Sequence, residues 1–278
     1  MPLHGNGWRP NRIARYIAGF STSARIAHVD TDCGEGFLKA LGNPEEGPQI
    51  LACEYVGSRL ADWLRLPTFD FALVDVTAED EIPFSGGGNA APGPGFISRA
   101  NQTGFPWGGT GKELQSVFNK SEINGLVVMD TWILNCDRYA PDGRRVNHDN
   151  VFLIQLADLG NDLQLIAMDF THAFTCGNEI DRRLGFIDRV QDARIYGLFP
   201  EFRTFLDREL VGQFATRLGQ FSRNVAEEII GEVPQAWKID QRNRSMWATM
   251  ITDRAHFVAE HIEAILWPQL ELEGGLNE

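Results

Sequence analysis

The sequence predicts an α+β protein in two parts, a small β-rich lobe over residues 1–98 and a larger, mainly helical lobe over residues 99–278. Three observations predict it. Short β-like runs at Arg25 to Val29, Phe37 to Leu41 and Phe69 to Val76 surround one helical stretch in the first third of the chain. A stretch rich in Gly, Pro and acids, Glu79 to Gly95, separates these runs from the rest of the chain. From Phe202 onward the pattern is mainly helical, with long runs at Leu206 to Ile230 and Ser245 to Leu266.

Taken in order, Arg25 to Val29 and Phe37 to Leu41 flank the turn-forming residues Asp30 to Gly36 and read as a hairpin, with Lys39 on its second strand. Pro48 to Leu66 repeats Leu51, Leu60 and Leu64 near helical spacing and stops before Pro67. Glu79 to Gly95 reads as a linker or mobile loop leading toward a hinge, with Phe96 to Ser98 beside it. Gly108 to Glu113 imitates a P-loop, but the required first Gly is Pro106 and the residue after Lys112 is Glu113, so it reads as a loop into a helix. Ser121 is positioned to cap a helix reaching about Asn135, with Leu126, Met129 and Ile133 on one face. Val151 to Ile154 and Leu163 to Phe170 read as strands joined by a turn at Asp158 to Asp162.

The chemistry lies in that middle region. Asp137 sits in a loop, Asn150 just before an apolar strand and Asp169 at the end of the next. Phosphoryl transfer needs this order: one acid orients the attacking hydroxyl, and an amide and a second acid hold Mg²⁺ on the phosphates. Asn150 follows Asp137 by thirteen positions, about eight more than the common pattern. Ala140 to Arg145, with its Pro and Asp-Gly, accounts for the excess as a loop excursion. Asn147 competes with Asn150 for the amide role, and the adjoining strand favours Asn150. Lys39 on a strand, with Glu54 on the following helix to hold it, can contact the α- and β-phosphates of ATP.

Composition sets limits. The 278 residues suffice for two lobes, and 43% hydrophobic with 23% charged residues is ordinary for a globular protein. A net charge of −13 disfavours a direct nucleic-acid partner, because such affinity comes from clustered cations. No apolar run has the length of a membrane span, and the first residues lack a secretory pattern. Cys33, Cys53, Cys136 and Cys176 are widely spaced, which predicts four reduced thiols in a cytoplasmic protein.

These residues resemble a family. Gly36-Phe37-Leu38-Lys39, Glu54 to Pro67, the block Asp130 to Arg138, Asn150 to Leu153, Ala167 to Phe170, Ile195 to Gly197 and Val233 to Trp237 are together similar to the HipA-like kinases, from about Gly19 to Leu266. The resemblance implies a bilobal protein-kinase-like fold, ATP and Mg²⁺, and phosphorylation of a Ser or Thr hydroxyl, with a protein as acceptor. It implies Lys39 as the ATP lysine, Asp137 as the catalytic acid, Asn150 and Asp169 as metal ligands, and Ser21, Thr22 and Ser23 as part of a loop over the phosphates. Some members are toxins held by a DNA-binding antitoxin, so an antitoxin or regulator is a partner to consider. Tyr139 stands where His is common, and Thr171 replaces a frequent Gly; neither removes a catalytic group. A small-molecule or lipid kinase, or an ATP-binding module acting through a partner, are the alternative readings.

Overall fold

The computed structural model describes residues 8–101, 103–155 and 162–268. Its N-terminal part is a five-stranded antiparallel sheet: β1 (Ile13–Gly19), β2 (Ala27–Thr31), β3 (Gly34–Lys39), β4 (Phe71–Val76) and β5 (Gly93–Arg99), in the order β1-β2-β3-β5-β4. The β2–β3 hairpin is the one the sequence predicts, two residues out of phase at its start. β1 has no counterpart among the predicted strands. Its outward residues are mostly polar or half-exposed and its pairing with β2 is irregular at two points, so it carries little apolar alternation.

Alternation along β3 sets the lining of the cleft. Leu38 points into a small core with Val29, Val74 and Ile97, while Phe37 and Lys39 point to the opposite face. Lys39 pairs with Phe96 and Phe37 with Ser98, so the same face of β5 meets them. The stretch Glu79 to Gly95 is corrected from a linker to the return between β4 and β5. Ile82 and Phe84 are buried in the small core, Pro83 bridges Asn89, and Gly93 to Gly95 already belong to β5.

Helix α1 (Gln49–Leu64) joins the two parts, buried against the larger core on most of its faces. A second sheet comes next, β6 (Gly104–Pro106), β7 (Val151–Gln155) and β8 (Leu163–Ala167), antiparallel and in that order. Val151 pairs with Ala167, so Asn150 and the residues just past Ala167 lie at one end. Most of the predicted turn, residues 158–161, lies outside the described residues. The P-loop imitation opens α2 (Gly111–Gln115), where Thr110 and Glu113 form a capping box.

Helix α3 (Glu122–Trp132) ends earlier than predicted, and Ser121 has helical dihedrals and makes no side-chain cap. Its C-terminal carbonyls are taken instead by buried Arg254, which donates to Thr131 and Trp132 at 2.6–3.1 Å. After the short α4 (Ile187–Val190), the predicted run from Leu206 to Ile230 is two helices, α5 (Arg208–Leu218) and α6 (Arg223–Gly231), capped by Asp207 and Ser222. Helix α7 (Gln241–Leu266) packs along α5 and α6. Trp132, Phe221 and Trp247 fill the core between these helices. Among the described residues no helix is long and apolar enough to cross a membrane.

Candidate active site

A cleft of about 340 Å³ lies between the first sheet and the β7–β8 hairpin. Phe37, Phe71, Phe96 and Phe152 line its apolar part, and Lys39, Asp149 and Asp169 line its polar end. Thr22 and Phe20, from the turn between β1 and β2, reach it; Ser21 and Ser23 are not among its lining residues.

Lys39 is buried there, its Nζ 3.1 Å from Glu54 Oε2 and 3.3 Å from Asp169 Oδ1. Burial alone pulls an ammonium pKa down, but Asp169 and Glu54 outweigh it and hold Lys39 charged, above its ordinary value. Burial likewise pushes Asp169 up, yet Lys39 and a 2.7 Å hydrogen bond from Thr171 Oγ1 bring its pKa down to about 2. Asp169 is therefore an ionised carboxylate at neutral pH. It adopts the left-handed conformation, φ 58°, which turns the chain out of β8. The next residue is fixed twice. Phe170 N donates to Glu54 Oε2 at 2.8 Å, and the Phe170 ring base packs against Gly57 of α1.

Asp137 is delivered by the end of α3. Leu134 turns the chain with φ 54°, and Asn135 then donates to Asp130 at 2.9 Å while accepting from Asp137 N at 3.3 Å. Arg138 is fully buried and donates to Asp130 at 2.7 Å and to the Met168 carbonyl at 2.9 Å. It thus ties the loop of Asp137 to the segment of Asp169. Gly197, with φ 71°, lies where a Cβ would meet the Asp130 carboxylate. The Asp137 carboxylate accepts from Asn150 Nδ2 at 2.9 Å and more distantly from Asn147 Nδ2 at 3.5 Å. Arg145, on the predicted excursion, is 3.3 Å from it, and His172 Nδ1 is 3.6 Å away. Asn150 is buried at the foot of β7, on the short helical turn His148–Asn150.

The sequence-predicted residues Lys39, Glu54 and Asp169 thus converge on one side, and Asp137 and Asn150 on the other. Sequence reasoning missed four features. Asp130 anchors the loop; a charge inside the apolar run Leu126 to Trp132 was the available signal. His172 joins Asp137 to Glu46, which is 3.4 Å from its Nε2, and nothing local marks this. Asp149 lines the cleft. The expectation of four free thiols is also corrected, because Cys136 and Cys176 are joined as a disulfide while Cys33 and Cys53 are free. The fold brings together two residues that sequence spacing left unrelated.

The oxygen chemistry fits a hard cation. Asp169 is ionised, and Asn150 spends its amide nitrogen on Asp137, which leaves its oxygen as a donor. Among the described residues no group of three or more His, Cys, Asp or Glu forms a cage. Mg²⁺ does not require one, because it commonly takes one or two protein oxygens and completes its shell with phosphates and water.

A family model described as HipA-like kinase matches residues 37–267. The chain belongs to the HipA-like kinase family. The match begins inside β3, so β1 and β2 of this HipA-like kinase lie ahead of the matched segment although they complete its sheet. Among solved structures, the chain is similar to a Helicobacter pylori proinflammatory kinase, CtkA, with a TM-score of 0.58 and 14% identity, covering 90% of this chain and 97% of that one. At that identity the likeness speaks for a shared kinase-like fold. No curated protein matches the chain.

Proposed function

We propose that this HipA-like kinase binds ATP with Mg²⁺ in the cleft and transfers the γ-phosphoryl group to a hydroxyl, a Ser or Thr of a protein. The observation that carries the reading is the convergence of Lys39, Glu54 and Asp169 on one wall with Asp137 and Asn150 beside it. The phenylalanines of the cleft suit a purine. Lys39, held charged by Glu54, contacts the α- and β-phosphates. Asn150 and Asp169 would hold Mg²⁺, which would supply charge neutralisation on the phosphates. Asp137 accepts a hydrogen bond from the acceptor hydroxyl, aligns its oxygen and takes its proton as the phosphoryl group leaves ATP. Arg138 acts through Asp130 and Met168 by fixing the relative position of the two acids. Catalysis rests on positioning and electrostatics.

The test is transfer from labelled ATP, to the protein itself or to a generic protein acceptor, with and without Mg²⁺. Asp137→Asn is expected to lower single-turnover transfer by at least about 10²-fold with ATP affinity little changed. A variant that melts early yet transfers at the wild-type rate would remove Asp137 from the mechanism. Transfer confined to small-molecule hydroxyls would move the acceptor out of the protein class.

A further inference from the structure

Three of the candidate site residues lie within one covalent ring. Cys136 immediately precedes Asp137, and Cys176 follows Asp169 by seven residues. Their bond, across a sequence separation of 40, encloses Asp137, Asn150 and Asp169 together. The Cα atoms are 5.8 Å apart, an ordinary span for a disulfide. The two sulfurs differ in access. Cys176 is exposed on a surface turn, whereas Cys136 is nearly buried with the Arg145 guanidinium 3.8 Å from its Sγ. A small reagent reaches the first sulfur more readily than the second. The turn that carries Cys176 also carries His172, which lies against Asp137. That turn contains two left-handed non-glycine residues, Phe174 and Cys176.

We propose that Cys136 and Cys176 form a reversible thiol-modification site, oxidised by a low-molecular-weight disulfide and opened by a thiol, whose bonded form holds the Asp137 loop against the turn after Asp169 for transfer. The thiol chemistry stands on its own; the effect on transfer rests on the kinase reading above. In the oxidising direction, Cys176 gives up its proton and its thiolate attacks one sulfur of the reagent RSSR. A protein–reagent disulfide forms, and RS⁻ leaves and takes up a proton. Cys136 then gives up its proton and attacks Cys176 Sγ, forming the internal bond and releasing a second RS⁻, which is protonated. The protein loses two electrons and two protons, and RSSR becomes two RSH. Reduction by excess RSH runs the same steps backward. Opening the ring frees the turn that presses His172 against Asp137, so the acid loses one of the groups that orient it.

The experiment uses the full chain carrying Cys33→Ser, which removes the exposed free thiol. The protein is equilibrated with glutathione at graded oxidised-to-reduced ratios. One portion is alkylated, digested and analysed by mass spectrometry; others are melted and assayed for transfer. A Cys136–Cys176 peptide that grows with the oxidised fraction and vanishes in reductant is the expected result. The oxidised form is expected to melt about 5 °C higher and to transfer several-fold faster. Cys176→Ser should behave like the reduced protein at every ratio. Alkylation of both cysteines across the whole range, or a cross-link that the folded protein keeps in excess reductant, overturns the site. A reversible cross-link with equal transfer in both forms overturns its role in catalysis. If neither form transfers phosphate, the kinase reading fails, and the peptide still decides the thiol pair.

Discussion

Gly57→Ala tests whether α1 seats the second acid. A Cβ at Gly57 would lie 2.3 Å from Phe170 Cβ and 2.6 Å from its Cγ. These atoms are at the root of the side chain and cannot swing away, so Phe170 must retreat by about 1 Å to regain ordinary contact. Alanine is the better helix former by about 1 kcal/mol. Overpacking a filled core costs about 1–3 kcal/mol, which wins or breaks even. The larger consequence is positional. Phe170 N is bonded to Glu54, and Asp169 precedes it, so the shift carries the carboxylate away from Lys39. A misplacement of about 1 Å at a reacting centre costs on the order of 10²-fold. The expected result is turnover at saturating ATP reduced by about 10- to 100-fold with a melting temperature lowered by a few degrees. A Gly57→Ala protein that melts at or above wild type and turns over normally would refute this account of how Asp169 is positioned.

The same contacts set further outcomes. Lys39→Ala should weaken ATP binding in calorimetry and cost about 3–5 kcal/mol of stability in a denaturant melt, because Glu54 and Asp169 lose their buried partner; equal affinity and turnover would remove Lys39 from the site. Asn150→Ala should damage Mg²⁺-dependent transfer far more than Asn147→Ala, and the reverse order in a turnover assay would make Asn147 the ligand. The hydrogen bond that His172 donates to the Glu46 carboxylate raises its pKa above 6.5; burial opposes this, and Asp137 and Asp169 add to it. A raised folded-state value means the stabilisation is complete below about pH 6.5 and is lost as pH rises through the folded pKa. The melting gap between wild type and His172→Asn should therefore be full in mild acid and narrow above neutrality; a gap independent of pH would exclude the ion pair.

The candidate site residues were legible as candidates because each sits at an element boundary that local pattern reveals. Lys39 lies on an alternating strand, and Asn150 and Asp169 at the ends of two apolar strands joined as a hairpin. The parts that escaped depend on long-range contact. β1 is an edge strand held by pairing rather than by apolar alternation. The end of α3 is fixed by Arg254, 122 residues downstream of Trp132. The excursion reads as a loop from its turn residues, but its consequence, Arg145 beside Asp137, required the fold. The Gly- and Pro-rich stretch misled because its composition suits a surface linker, while Ile82 and Phe84 anchor it in a core.

In many kinases the lysine–glutamate pair is made and broken by movement of the helix that carries the glutamate. Helix α1 has little freedom of that kind. Leu51, Val56, Leu60 and Leu64 are buried among the helices of the larger part. Tyr55 donates to Glu232 at 2.6 Å, Arg59 also pairs with Glu232, and Arg217 donates to the Leu64 carbonyl at 2.6 Å. Exposing those four side chains alone would cost roughly 6–12 kcal/mol, comparable with the whole stability of a domain. A swung-out state would then be populated at less than about one molecule in ten thousand. The lysine clamp is a standing fixture of this enzyme, and whatever governs its output must act on entry to the cleft, on the acceptor, or on the loop that bears Asp137.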